Sequence, residues 1–155
     1  MNALVRRASA LVRHQLEMQG IELVEGFAPA LPPCLCDADQ IQQVVLVLLV
    51  NAVEAMPRGG RMEITTGLDS SGSAIEVQVR DDGTGIAEDV LPHIFEPFFT
   101  TKEDQHRTGL GLAVARNIVE RHAGTLEASS TPEQGTEFTL ALPLERRTEM
   151  IDDRA

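Results

Sequence analysis

The stretch Asp39 to Met56, DQIQQVVLVLLVNAVEAM, constrains this chain most. Val44 to Val50 are apolar without interruption, and a single amide, Asn51, follows them directly. Periodicity alone leaves a buried strand or a buried helix open. Length favours the helix, because the segment continues through Ala52-Val53-Glu54-Ala55 with no Gly or Pro, whereas strands are usually shorter. Asp37 or Asp39 offers an N-cap, and Pro57-Arg58-Gly59-Gly60 supplies the stop. Asn51 therefore sits in the last third of a helix buried on most sides. A buried amide needs partners, either backbone groups or a ligand.

Around this helix the chain reads in order. Residues 2–19 form an amphipathic helix with Leu4, Val5, Ala8, Leu11, Val12 and Leu16 on one face, closed by Gly20. Residues 21–27 read as a strand and 28–33 as a loop. Residues 61–68 and 74–81 form a hairpin about the turn Asp69-Ser70-Ser71-Gly72-Ser73. A second long helix is expected over 110–122, with Ala123-Gly124 as its C-cap, and a final hairpin over 126–130 and 136–142. The segment 144–155 is charged and expected to fray. Three helices with about five mixed, mainly antiparallel strands predict an α+β fold, a two-layer sandwich with the helices on one face.

Charge limits what such a chain can hold. It carries 13 Lys and Arg against 24 Asp and Glu, a net −11, which speaks against non-specific contact with nucleic acid or an anionic membrane. An anionic ligand must then be met by backbone amides, a few placed cations or a metal. Cys34 and Cys36 stand two apart; in a strand they are expected to face opposite ways and resist bridging. Two cysteines without a nearby His make a poor zinc site, so the chain reads as reduced and cytoplasmic. There is no signal-peptide pattern and no apolar run long enough to span a bilayer.

Four further segments carry chemistry. In the strand 74–81, Ile75, Val77 and Val79 alternate with polar residues, and Asp81 keeps the inward parity, where a carboxylate is costly unless something donates to it. Asp82-Gly83-Thr84-Gly85-Ile86 follows; its glycines allow a planar ligand close to the backbone, though an Asp-Gly turn is also common. Ile94-Phe95-Glu96-Pro97-Phe98-Phe99-Thr100-Thr101-Lys102 reads either as a core loop or as the anchor of a lid over 101–108. Thr108-Gly109-Leu110-Gly111-Leu112 opens the second long helix with free N–H groups, an anion site in kind, yet with no GK[ST] sequence and no strand directly before it. Thr136 shares parity with Phe138, Leu140 and Leu142, so its hydroxyl points to the same covered side as Asp81.

Taken in this order, NAVEAM, DDGTGI, IFEPFFTTK, TGLGLAVARNIV and GTEF resemble the ATP-binding domain of sensor histidine kinases. That domain belongs to the Bergerat-fold (GHKL) superfamily with gyrase B, the ninety-kilodalton heat-shock chaperones and the MutL repair proteins. The resemblance spans residues 21–142 and is nearest the nitrogen-regulation subgroup. It implies that Asn51 gives its side-chain oxygen to Mg²⁺ and that Asp81 accepts from the exocyclic amine of adenine. It further implies that Gly83, Gly85 and Ile86 flank the base, and that Thr108, Gly109, Leu110, Gly111 and Leu112 meet the phosphates. Thr136 would hold Asp81 or a water beside adenine, and Lys102 and Arg107 would meet phosphate from the lid.

Two departures from the family pattern stand out. Val47 occupies the place of a second Asn in many histidine kinases, and of the water-activating Glu in the related ATPases. It faces the same way as Asn51 but binds nothing, so hydrolysis by the chaperone or gyrase route is not expected. Arg107 replaces a further Gly. No His in the chain has the context of a phosphoacceptor, and no residue of it is assigned a catalytic role. The resemblance thus implies the ATP-binding half of a two-component kinase, unable to autophosphorylate alone: residues 1–19 lead from an absent phosphoacceptor hairpin, 20–143 bind Mg·ATP, and 144–155 form a tail. Its partners would be that hairpin and, indirectly, a response regulator, with no nucleic acid and no membrane contact. The alternatives are a stand-alone anti-sigma-type serine kinase and a degenerate nucleotide-binding or interaction module.

Overall fold

A computed structural model describes residues 1–100 and 109–144. The lid expected over 101–108, with Lys102, Arg107 and Thr108, and the tail beyond Leu144 lie outside the described residues. The elements are α1 (Asn2–Gln19), β1 (Ile21–Phe27), α2 (Ala38–Ala55), β2 (Gly60–Leu68), β3 (Ala74–Asp81), α3 (Gly111–Arg121), β4 (Thr125–Thr131) and β5 (Gly135–Pro143). A short 3-10 turn at Leu91–His93, with Pro92 in it, precedes α3 and is not foreshadowed in the sequence pattern.

One five-stranded sheet runs in the order β1-β2-β3-β5-β4. Only β1 and β2 are parallel; the remaining pairs are antiparallel. Alternate residues turn inward: Met62, Ile64 and Thr66 on β2, Ile75, Val77, Val79 and Asp81 on β3, and Thr136, Phe138, Leu140 and Leu142 on β5 are all buried. Their neighbours Arg61, Glu63, Glu76, Gln78 and Arg80 are on the other face, which no helix among the described residues covers, so the architecture is the expected two-layer α+β sandwich.

The helices cover the inward face. α1 buries Leu4, Val5, Ala8, Val12 and Leu16 in the same core as α2 and the sheet, and ends at Gly20 in the left-handed region (φ 68). Leu11, counted on that face, is 63% exposed instead, because the buried stripe is narrower than the apolar one. α2 is capped by Asp37, whose carboxylate accepts from the N–H groups of Asp39 and Gln40. Ile41, Val44, Val45, Leu48, Leu49, Ala52 and Val53 of α2 are buried. Each of the Val, Leu and Ile side chains among them contributes about 1.5–3 kcal/mol when fully buried. Leu46, Val47, Val50 and Asn51 are only half-buried, and this third face of α2 bounds the cavity described below.

Two local expectations need correction. α3 spans 111–121 and its C-cap is His122; Ala123 takes the left-handed conformation (φ 58) one residue later. Cys34 and Cys36 do not face apart. Both pack half-buried against the core with Leu35, 71% exposed, between them, because residues two apart in an extended segment share a face. The Cys34 thiol donates toward the Pro143 carbonyl (3.7 Å), and burial, with the Cys36 thiol beside it, pushes it up from its ordinary range.

Candidate functional site

A cavity of about 770 Å³ opens between the helical layer and one end of the sheet. α2 forms one wall through Leu46, Val47, Val50, Asn51, Glu54 and Ala55. Asp81, Thr136 and Phe138 form the floor, and Thr84, Gly85, Ile86 and Ala87 the turn beside it. Val90, Ile94, Phe99 and Thr100 close one side, and Gly109, Gly111 and Leu112 at the start of α3 the other. The lining is mostly apolar with a few polar groups converging on it, the usual make-up of a small-molecule site.

The floor is set by strand register. Asp81 ends β3 directly opposite Thr136 near the start of β5, and the two are only 3% and 5% exposed. Asp81 Oδ1 accepts from the Gly83 N–H (2.9 Å), which fixes the carboxylate over the strand end. Ser130 on β4 donates its hydroxyl to the Gly135 carbonyl (2.9 Å) and accepts from the Ile86 N–H (2.7 Å). With that single hydrogen used, the 2.9 Å contact between Ser130 and Thr136 must be donated by Thr136. Thr136 is thereby left with acceptor lone pairs, so it can receive a hydrogen bond from a ligand or a water but has no hydrogen for Asp81.

Asn51 is oriented by its own helix. Its amide Nδ2 donates to the Val47 carbonyl one turn earlier (2.8 Å), and since that carbonyl only accepts, the oxygen is the end left for the cavity. Oxygen donors of this kind suit a hard divalent cation better than a soft one. Val47, one turn before, lines the cavity as an aliphatic wall and adds no donor. Its Cγ1 lies 3.5 Å from where a side chain on Gly111 would begin, so α2 and α3 touch at this point. The first turn of α3 leaves its leading N–H groups without acceptors in their own helix and aims the positive end of the dipole at the same space.

The two glycines after β3 serve different ends. A Cβ on Gly83 would collide with the Ala55 carbonyl, so Gly83 lets the turn pack under the end of α2 and itself lies off the cavity wall. Gly85 is left-handed (φ 71), lines the cavity, and a Cβ there would collide with the Thr131 carbonyl.

The structure thus brings Asn51, Asp81, Gly85, Ile86, Gly109, Gly111, Leu112 and Thr136 to one cavity. Gly83 and Leu110 stand just outside its lining, Leu110 as the N-cap residue of α3. Glu54 on the wall and Ser130 behind the floor were not picked out from the sequence. Glu54 was within reach of such reading, since residues three apart share a helix face with Asn51. A serine in an edge strand gives no such signal.

Residues 36–146 match the family described as "Histidine kinase-, DNA gyrase B-, and HSP90-like ATPase". Over 144 residues the chain is 40% identical to sensor histidine kinase ZraS of Escherichia coli (strain K12), a match covering 93% of this chain and 30% of that protein. The chain therefore spans less than a third of the curated relatives of this type that it matches. The nucleotide-free catalytic domain of histidine kinase ThkA superposes with a TM-score of 0.82 at 30% identity, covering 93% of this chain and 92% of that one. ThkA in complex with response regulator protein TrrA gives 0.78 at 27% identity, over 94% of this chain and 40% of that one. Full-length ShkA in complex with AMPPNP gives 0.81 at 28% identity, over 91% of this chain and 29% of that one.

Proposed function

We propose, given that this chain belongs to the family of histidine kinase-, DNA gyrase B- and HSP90-like ATPases, that it presents Mg·ATP for transfer of the γ-phosphoryl group to a His on a separate helical domain. It is the ATP-binding catalytic domain of a two-component sensor kinase. One observation carries the reading: the inward carboxylate of Asp81 and the amide oxygen of Asn51 face a single cavity, with the first turn of α3 on its rim.

In this reading Asp81 accepts from the adenine amine, and Thr136 offers an acceptor to it or to a water. Gly85 and Ile86 lie along the base. The leading amides of α3 receive phosphate oxygens, with Gly109 and Leu110 setting the approach. Lys102, Arg107 and Thr108, outside the described residues, would supply further phosphate contacts. Asn51 Oδ1 would hold Mg²⁺ together with phosphate oxygens and water, and the ion would supply charge neutralisation. Transfer of this kind needs positioning and electrostatics more than covalent help, so the domain contributes no nucleophile. Residues 1–19 lead from the phosphoacceptor hairpin of the parent kinase, and the phosphate passes on to a response regulator. Among the described residues no helix is long and apolar enough to cross a membrane. A cytoplasmic location is our reading, supported by the proposed use of ATP.

The test is to incubate the chain with radiolabelled ATP, Mg²⁺ and the separately expressed helical hairpin of its parent. Acid-labile, base-stable label on a hairpin His is expected. Acid-stable label on a partner Ser would assign the chain to the anti-sigma-type kinases instead. Absence of ATP binding by calorimetry would leave only the interaction module, for which the aliphatic Val47 is the observation in favour.

A further inference from the structure

We infer that Glu54 reads the sugar of the bound nucleotide and makes the site selective for ribonucleotides. The inference rests on the ATP reading above and assigns a role to a residue that this reading leaves unused. Val47, Asn51 and Glu54 occupy successive turns of the α2 face that bounds the cavity. The two ends of this face have different neighbours. Val47 lies against Gly111, at the first turn of α3, where phosphates are expected. Ala55, next to Glu54, accepts from the Thr84 N–H (3.1 Å) and lies under Gly83, whose own N–H holds Asp81. Read turn by turn, α2 therefore runs from the phosphate end to the base end of the cavity. Glu54 lies one turn nearer the base than Asn51, at the level where the sugar joins base to phosphates.

Chemistry selects the same partner. Glu54 is half-buried, with one carboxylate oxygen shielded from solvent. An ionised carboxylate only accepts hydrogen bonds, so a phosphate beside it is repelled, whereas a sugar hydroxyl can donate to the oxygen that is not shielded. The Asp or Glu that meets the ribose in dinucleotide folds uses the same pairing on an unrelated scaffold.

Calorimetric titration of the chain with ATP and with deoxy-ATP tests this. ATP is expected to bind about tenfold more tightly than deoxy-ATP, the value of a hydrogen bond to a charged group. Glu54→Ala is expected to bind both at the deoxy-ATP level, and Glu54→Gln, which keeps the volume and loses the charge, to fall between. Equal affinities in the parent chain overturn the inference, as does a variant that weakens both nucleotides by the same factor or shifts only the Mg²⁺ dependence. If Glu54→Ala does not fold by circular dichroism, the ratio in Glu54→Gln decides alone: an unchanged ratio overturns. A parent chain that binds neither nucleotide refutes the ATP reading itself, a result distinct from equal binding.

Discussion

Asp81 and Thr136 stand opposite one another across β3 and β5, both nearly closed to solvent, and both at the mouth end of their strands. Their hydrogen-bonding characters differ. Asp81 is an acceptor anchored by the Gly83 N–H, and Thr136 has given its hydrogen to Ser130. The floor they form is rich in acceptors and selects a ligand edge that donates.

Asp81→Asn tests that polarity with little change of shape. The asparagine carbonyl can still receive the Gly83 N–H, but an amino group now stands where the second carboxylate oxygen was. Nucleotide affinity is expected to fall by about tenfold or more, the cost of replacing a charged acceptor with a donor. Calorimetry with ATP reads it, and undiminished binding would remove Asp81 from the base site.

The face of α2 allows a paired experiment. Asn51→Ala removes the one amide oxygen of this wall, and is expected to abolish the Mg²⁺ dependence of ATP binding while leaving ADP binding partly intact. Val47→Asn places a second amide one turn before the first and is expected to strengthen that dependence, because cation affinity follows the number of oxygen ligands. The change also sets a polar group against Gly111, so a modest loss of stability should accompany it. Metal titrations that overlay for parent and Asn51→Ala would count against the metal role, and no change in Val47→Asn would argue that this turn does not face the metal.

What the sequence reveals here follows from periodicity, and what it hides follows from contacts without one. Strand alternation fixes the inward sense of Asp81 and Thr136, and helix spacing places Val47 and Asn51 on one face. The same alternation puts Cys34 and Cys36 on one side, as the structure does. Ser130 and Gly83 could not be read this way. Their roles depend on the neighbours that fold topology brings to them, Thr136 and Ile86 in one case and the Ala55 carbonyl in the other. Glu54 gives no clear signal either, because a charge near a helix end usually marks a solvated surface, and the cavity shows otherwise.

The β2–β3 turn has a pH dependence that can be checked without nucleotide. Asp69 accepts from the Ser71 hydroxyl (2.9 Å) and from the N–H groups of Ser73 (2.8 Å) and Ala74 (3.2 Å). The Ser71 bond first, then the two backbone bonds, hold its carboxyl below the ordinary aspartate value of 3.8. A depressed pKa means that the folded state binds fewer protons than the unfolded one. The contribution to stability is present above 3.8 and is lost as pH falls below it. Asp69→Asn should therefore flatten the acid limb of a stability–pH curve, and only slightly, because Asp69 lies half-exposed in a surface turn where solvent screens its charge. An acid limb steeper than that of the parent chain would contradict the direction.

Gly72 and Gly85 share the same left-handed φ, 71 in each, yet differ in surroundings. Around Gly72 there is open space, so Gly72→Ala carries only the left-handed penalty of about 1–2 kcal/mol. At Gly85 the added methyl meets the Thr131 carbonyl and lies 3.0 Å from Pro132 Cα, both backbone atoms that cannot swing aside. Gly85→Ala should cost distinctly more, about 3 kcal/mol or above, since strain and overpacking then add. Only the Gly85 change should also weaken ATP binding, because Gly85 lines the cavity and Gly72 lies in the distant hairpin turn. Urea unfolding of the two variants separates the contributions directly, as the conformational term cancels between them. Equal losses would show that the turn after β3 can shift away from β4.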